Sequence, residues 1–119
     1  LQRCSLIGGP NTGWLRDGYC RTCSRDTLLQ CVCCEVTSDF LDYSRKMGDD
    51  LTSPDGYFPG LKPGDRWCLR SDRWLEAFNA GKAPKVVLES THERAMLHIP
   101  LLYLEDNRAD REDQISDLD

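Results

Sequence analysis

Apolar and polar residues alternate along two short stretches of the chain, and each alternation predicts a β-strand that buries one face. In residues 29–36 the valines fall on one face and Cys33 falls on the other. In residues 66–70 Trp67 falls on one face and Cys68 falls on the other. We therefore expect two strands that each separate an apolar face from a cysteine-bearing face, with the first strand central in a sheet.

Helical periodicity fills the segment that follows each strand. Apolar residues recur every three or four positions within residues 37–48 and again within residues 71–81, and each run starts at a capping residue and stops at glycine. A shorter strand is predicted at residues 85–89, and residues 90–93 match a capping box before a third helix. The order strand, helix, strand favours two parallel strands joined by a crossover.

These elements predict an α+β fold, a small two-layer domain in which a mixed, short-stranded sheet carries two or three helices mainly on one face. A chain of 119 residues is long enough for one core. We assign residues 1–104 to a single domain and residues 105–119 to an acidic C-terminal tail. Seven acidic residues minus two arginines in that tail equal the whole net charge of −5.

The charge distribution argues against nucleic acid as a partner. Because the tail accounts for the net charge, residues 1–104 are neutral overall and offer no basic patch for phosphates. The longest apolar-rich run, residues 95–104, is interrupted by His98 and Pro100 and is too short to span a bilayer. We therefore expect neither nucleic-acid binding nor membrane insertion.

One loop is a candidate for binding a small molecule. The pair Asp17-Gly18 suits a type I′ turn and predicts a β-hairpin, with a ligand-binding loop as the alternative. Trp67 is expected either in the core or at a pocket beside Cys68. The candidate ligand-binding residues are therefore Arg16, Asp17 and Trp67.

Seven cysteines leave three kinds of chemistry open. Their number is odd and their density is below that of a secreted disulfide scaffold, so we expect mainly free thiols in an intracellular, reducing compartment. Paired thiolates can instead bind structural zinc, for which the candidate ligands are Cys20, Cys23, Cys33 and Cys68, although their spacing is not that of a zinc ribbon. Redox or disulfide roles are the third interpretation. No cofactor other than zinc is expected.

A thiol-dependent enzyme acting on a small molecule is also compatible with the sequence. Cys68 lies between two arginines, which favour the thiolate, and His92 follows the neighbouring predicted strand as a candidate base. Asp65 and Arg66 would complete that catalytic set. The chain contains no phosphate-binding loop, dinucleotide fingerprint, zinc-protease motif or nucleophile elbow. The preferred hypothesis therefore names no catalytic residue.

Four segments of the chain resemble one protein family. They are TGWLRDGYCRT (residues 12–22), FPGLKPGDRWCL (residues 58–69), Arg73-Trp74 and ESTHE (residues 89–93). Together they are similar to the uncharacterised bacterial and algal-type family catalogued as domain of unknown function two-two-three-seven, over roughly residues 11–97. The resemblance implies a compact two-layer α+β fold and no established activity.

The chain departs from that family's pattern at four positions. Leu28 and Gln30 stand where the family has Gly and His, Asp49 stands for Asn, and Arg70 stands for a second Cys. The resemblance thus implies that a metal or thiol site using those residues would be incomplete here. We expect a non-catalytic interaction or structural module, an accessory subunit that binds other protein subunits in a larger assembly. Because the chain starts at Leu1 rather than Met, a removed presequence and an organellar location are further expectations.

Overall fold

The computed structural model describes residues 2–10, 12–13, 15–21, 29–55 and 58–109. Within these ranges it contains strands β1 (Gln30–Glu35), β2 (Arg66–Arg70) and β3 (Lys85–Val86), helices α1 (Ser38–Lys46), α2 (Ser71–Asn79) and α3 (Leu101–Asp106), and 3-10 turns at Leu88–Ser90 and Glu93–Leu97. The predicted α+β class is confirmed. Among the described residues, no helix is both long enough and apolar enough to cross a membrane.

Strand β1 is the central strand of the sheet, as predicted. β2 pairs with one edge of β1, where Cys33 faces Cys68, and β3 pairs with the other edge, where Cys34 faces Val86; both pairings are antiparallel. β2 and β3 therefore run in the same direction, as expected, but β1 lies between them. The three strands form an antiparallel sheet rather than a mixed one, and a parallel pairing enters through an isolated bridge between Val86 and Arg108.

One face of the sheet packs against the helices and forms the main core. Trp74 of α2 and Phe40 of α1 are among its largest fully buried side chains, and both belong to the same buried cluster as Val32 of β1. The indole N–H of Trp74 donates to the carbonyl of Pro84 at 3.3 Å, which satisfies its polar atom. Burying one tryptophan removes roughly 200 Å² from water, which stabilises the fold by about 5 kcal/mol as an upper bound.

The two longer helices begin in different ways. The hydroxyl of Thr37 accepts a hydrogen bond from a first-turn backbone N–H and caps α1, and Gly48, with a φ of 96°, follows its end. Ser71, expected to cap α2, is instead its first residue. Its hydroxyl lies 2.6 Å from Nδ1 of His98, so Ser71 joins α2 to the C-terminal part of the chain.

The C-terminal part departs further from the sequence prediction. The strand expected at residues 85–89 ends at its second residue, and a 3-10 turn follows. Ser90 caps no helix, because its hydroxyl donates to the carbonyl of Arg3 at 3.0 Å. His92 takes the capping position, where its Nδ1 accepts from the backbone N–H of Arg94 at 3.1 Å. Long-range partners thus replace the local capping box.

Regular structure continues beyond Leu104, where the acidic tail was expected to begin. Helix α3 ends at Asp106, and the backbone N–H of Ala109 donates to the carbonyl of Val86 at 2.8 Å. The chain up to Ala109 therefore belongs to the folded body. The rest of the expected tail, residues 110–119, lies outside the described residues.

Candidate functional site

Four buried cysteines form a cluster on the face of β1 opposite the main core. Disulfides join Cys4 to Cys33 and Cys20 to Cys68, with Cα–Cα distances of 5.7 and 5.3 Å. The four residues are at most 1% exposed, and the Sγ atoms of Cys4, Cys20 and Cys68 all lie within 4.8 Å of one another. The two disulfides therefore lie side by side, and we call these four residues the cysteine cluster.

The sheet and one irregular segment together assemble the cysteine cluster. Cys33 and Cys68 are register partners on β1 and β2, so their side chains point to the same face. Residues 2–21, which we call the N-terminal segment, cross this face and supply Cys4 and Cys20. In its described part this segment contains no helix or strand, so the predicted β-hairpin is not found there.

Buried hydroxyl groups hold the N-terminal segment in place. The hydroxyl of Ser5 donates to the carbonyl of Pro10 at 2.9 Å and accepts from the backbone N–H of Thr12 at 3.1 Å. The hydroxyl of Thr12 in turn accepts from the backbone N–H of Cys68 at 2.6 Å. Gly18 adds a carbonyl that accepts from Ser5. Hydrogen bonds therefore act together with the disulfides to hold the N-terminal segment, which has no helix or strand in its described part to pack against the sheet.

Two other cysteines keep their thiols and lie in the main core. Cys31 and Cys34 are fully buried. Burial, with a smaller contribution from neighbouring Cys31, raises the pKa of the Cys34 thiol well above its ordinary value. Because the thiolate is the reactive form, Cys34 is an inert core residue.

The structure brings together three of the four predicted zinc ligands. Cys20, Cys33 and Cys68 lie in the cysteine cluster, whereas the fourth member is Cys4. Cys23 lies outside the described residues. The expectation of mainly free thiols is corrected, since four of the six cysteines that the structure describes are in disulfides. Disulfides persist in oxidising compartments and are rare in reducing ones. They do not support the reducing compartment, which stays a prediction from the sequence.

The candidate catalytic residues are spread over the sheet. Cys68 is disulfide-bonded on β2, whereas His92 lies at the opposite edge of β1, where its backbone N–H donates to the carbonyl of Cys31 at 2.9 Å. Arg66, the first residue of β2, and Asp65 directly before it are half-buried, and the Asp65 carboxylate accepts from the backbone N–H of Lys62 in the same turn. An enzyme built on these residues stays a prediction that first requires reduction of Cys68.

Arg16 and Trp67, two of the predicted ligand-binding residues, meet at a cleft of about 570 Å³. The guanidinium carbon of Arg16 lies 4.8 Å from the centre of the Trp67 ring. The ring of Phe58 meets Trp67 edge-on, with 5.1 Å between centroids. Asp55, Pro10 and other residues complete the wall. Trp67 is 8% exposed, so it both belongs to the core and lines the cleft.

The loop that carries Arg16 has an unusual backbone. Arg16 has a φ of 56°, a region that costs a non-glycine residue about 1–3 kcal/mol. Gly13, with a φ of 97°, lies so close to the carbonyl of Tyr19 that a Cβ at this position would collide with it. Asp17 is not in the cleft wall, because its carboxylate accepts from the backbone N–H of Tyr19 at 3.1 Å and pairs with Arg21 at 3.6 Å. Asp17 therefore shapes this loop.

A second surface feature was not predicted from the sequence. Met96, Leu97, Leu101 and Leu102, which we call the apolar surface, expose 48, 67, 44 and 63% of their areas. An open groove of about 630 Å³ shares Leu97 with this surface, and its other lining residues are Leu75, Asp72, Glu76, Asn79 and His98. Isolated exposed leucines are ordinary, but four large apolar side chains within seven residues are not.

Fold and site together define a small α+β domain with a three-stranded antiparallel sheet and a buried cysteine cluster. Residues 1–108 match the family DUF2237, described as an uncharacterized protein conserved in bacteria. The chain belongs to this family, which confirms the resemblance seen in its sequence. The comparison with curated proteins gave no match.

Proposed function

We propose that the protein is a non-catalytic interaction module, an accessory subunit that binds another protein of a larger, organellar assembly through the apolar surface. The observation that carries the proposal is the exposure of Met96, Leu97, Leu101 and Leu102. Large exposed apolar patches mark sites of association, and burying one leucine contributes roughly 1.5–3 kcal/mol. A catalytic role finds less support, because Cys68 and His92 lie on opposite edges of β1.

The groove beside the apolar surface indicates the chemistry of the partner. Leu75 and Leu97 give it apolar walls, while the carboxylates of Asp72 and Glu76 are already paired with Arg70 at 2.7 Å and Arg73 at 3.7 Å. A partner segment that inserts a leucine-sized side chain would match these walls. We therefore expect the partner to present an apolar side chain to this groove.

Charge placed on the apolar surface tests this proposal. The variant Leu97→Glu/Leu102→Glu would place two unpaired carboxylates in the proposed interface, and we expect the protein to leave its complex and run at the mass of one chain. The control is Met47→Glu, because Met47 is 52% exposed directly after α1 and is not part of the apolar surface. Both variants would be expressed in the source organism, purified under mild conditions and measured by native mass spectrometry.

Two outcomes would overturn the proposal. One is a wild-type protein that runs as a single chain in fresh extracts. The other is a double variant that stays in the complex as well as Met47→Glu does. Circular dichroism of the purified variants separates lost binding from lost folding, since both substitutions are at exposed positions.

A second candidate function is small-molecule binding at the cleft of Arg16 and Trp67. Strained residues concentrate at functional sites, and Arg16 combines a positive φ with a place in the cleft wall. The cleft volume lies within the range of ligand pockets. Arg16 makes no ion pair with any described acidic residue, so its guanidinium can receive a carboxylate.

Titration with benzoate, a planar carboxylate, tests this second candidate. We expect amide and indole NMR signals of Arg16 and Trp67 to shift, and Arg16→Ala to weaken binding at least tenfold. Arg45→Ala is the control, because Arg45 pairs with Asp42 on α1 and is absent from the cleft wall. Equal shifts in both variants would remove the cleft from consideration.

A further inference from the structure

Three sulfur atoms from distant parts of the chain lie close together, and a fourth is bonded to one of them. The Sγ atoms of Cys4, Cys20 and Cys68 are within 4.8 Å of one another, and Cys33 is bonded to Cys4. In a tetrahedral zinc site with Zn–S bonds of about 2.3 Å, neighbouring sulfurs are about 3.8 Å apart. The contacts of the Cys4 sulfur with those of Cys20 and Cys68 would therefore shorten by about 1 Å or less, while the bonded sulfurs would separate.

We propose that Cys4, Cys20, Cys33 and Cys68 bind one Zn²⁺ through their Sγ atoms when both disulfides are reduced. This proposal is independent of the apolar surface. Soft thiolate ligands in a set of four select zinc, and a closed set without open positions is typical of a structural site. The N-terminal segment would then be held to β1 and β2 in both redox states, by disulfides under oxidising conditions and by zinc under reducing ones.

The chemistry of the conversion balances. Each disulfide accepts two electrons and two protons from a dithiol reductant, which itself becomes a disulfide, so two reductant molecules give four thiols. Zn²⁺ then displaces the four thiol protons and forms four Zn–S bonds, which leaves a complex of charge −2. Zinc binding therefore weakens as the pH falls, because protons compete with Zn²⁺ for the four thiolates.

Burial supports a structural rather than a catalytic metal. The four cysteines are 0–1% exposed, so neither water nor substrate reaches a metal held between them. The flanking backbone is already fixed: the backbone N–H of Cys33 donates to the hydroxyl of Thr91 at 3.1 Å, and that of Cys68 donates to the hydroxyl of Thr12. Such second contacts orient metal ligands before the metal binds.

Metal titration of the full chain tests the proposal. The protein is reduced with a phosphine under argon, and Co²⁺ is added as a spectroscopic probe, followed by Zn²⁺. We expect the strong visible bands of tetrahedral cobalt thiolate at one Co²⁺ per chain, and their loss when one equivalent of Zn²⁺ displaces it. Cys4→Ser should weaken Zn²⁺ binding at least 100-fold. Cys23→Ser is the matched control and should bind like the wild type, which separates this set from one that includes Cys23.

A second measurement applies when Cys4→Ser fails to fold. Iodoacetamide is added to the reduced wild type with and without Zn²⁺, because the N-terminal segment, once its disulfides are broken, shields these cysteines only when zinc holds it to the sheet. The modified cysteines are mapped by mass spectrometry. We expect Zn²⁺ to protect all four members of the cysteine cluster. The proposal is overturned by absence of the cobalt bands, by bands that depend on Cys23 rather than Cys4, or by equal alkylation with and without Zn²⁺.

Discussion

The two faces of β1 are covered in different ways. On one face, Trp74 and Phe40 from regular helices pack against Val32 without a covalent link to the strand. On the other face, the irregular N-terminal segment is joined to the sheet at Cys33 and Cys68 by two disulfides. The first face is therefore stabilised by burial of apolar side chains, and the second by two disulfide bonds.

This difference follows from the kind of segment that covers each face. A helix presents a continuous apolar stripe, so burying it stabilises the contact over many atoms. A segment without periodic structure presents few apolar side chains and must also satisfy its own backbone groups. Here Ser5, Thr12 and Gly18 satisfy backbone N–H groups, and the disulfides limit the freedom of the unfolded chain.

The largest effect is expected from the helical face. Trp74→Ala removes a fully buried side chain and should lower the free energy of unfolding by about 3–5 kcal/mol, measured by urea denaturation followed by circular dichroism. Met47→Ala, at an exposed position, should change it by less than about 0.5 kcal/mol. A loss below about 1 kcal/mol in Trp74→Ala would show that the helices do not stabilise this face.

Removing one disulfide should produce a smaller and more local effect. In Cys20→Ser/Cys68→Ser we expect a loss of about 2–4 kcal/mol, helical circular dichroism close to that of the wild type, and new protease cleavage within the N-terminal segment. Cleavage within α1 or α2 instead would mean that the two faces unfold together.

A single hydroxyl tests the polar contacts of the same face. Thr12→Val keeps the shape of the side chain but leaves the buried backbone N–H of Cys68 without its acceptor, which should cost about 1–3 kcal/mol. Thr12→Ser retains the hydroxyl and should cost less than half as much, judged from the urea midpoints. Equal losses in the two variants would mean that the hydrogen bond contributes no more to stability than the methyl group does.

The smallest effect concerns an irregular loop that is exposed. Hydrogen bonds from the hydroxyls of Thr52 and Ser53, and then from the backbone N–H of Thr52, lower the pKa of Asp50 from 3.8 to about 2. Because the pKa is lower in the folded protein, the stabilisation is present above about pH 4 and is lost as the pH falls towards 2.

Carboxyl ¹³C NMR would follow this titration directly. Thr52→Val should raise the pKa of Asp50 towards 3.8, while Ser38→Ala, which removes an exposed hydroxyl of α1, should leave it unchanged. An Asp50 that titrates near 3.8 in the wild type would mean that exposed loops, unlike the N-terminal segment, are not ordered by such contacts.

Much of the fold could be predicted because it depends on local periodicity. Alternation located β1 and β2 and placed Cys33 and Cys68 on the faces where the structure has them. Register then makes these two cysteines neighbours, so half of the cysteine cluster was within reach of sequence reasoning. Cys4 was not, because no periodic signal reports where an irregular segment crosses a sheet.

The C-terminal part was harder to predict for a related reason. His92 takes the capping position expected for Ser90, whose hydroxyl donates to the carbonyl of Arg3 instead. The apolar surface was missed because its residues have helical spacing, which indicates burial. In the structure Leu97 and Leu102 are exposed, because no neighbouring element among the described residues packs over them, and the sequence pattern does not report that arrangement.

The central position of β1 affects how the protein is made. A ribosome completes β1 at Glu35, but its second edge partner ends about fifty residues later, at Val86. At about 5–20 residues per second, both edges stay open for roughly 2–7 s, until β2 ends at Arg70, and the second edge stays open for roughly 3–10 s. During that time Cys33 can already meet Cys4, whereas Cys20 must wait for Cys68 to emerge. The order of translation therefore favours Cys4–Cys33 as the first disulfide. It also means that the unpaired edges of β1 must be kept from pairing with other chains until β2 and β3 have been synthesised.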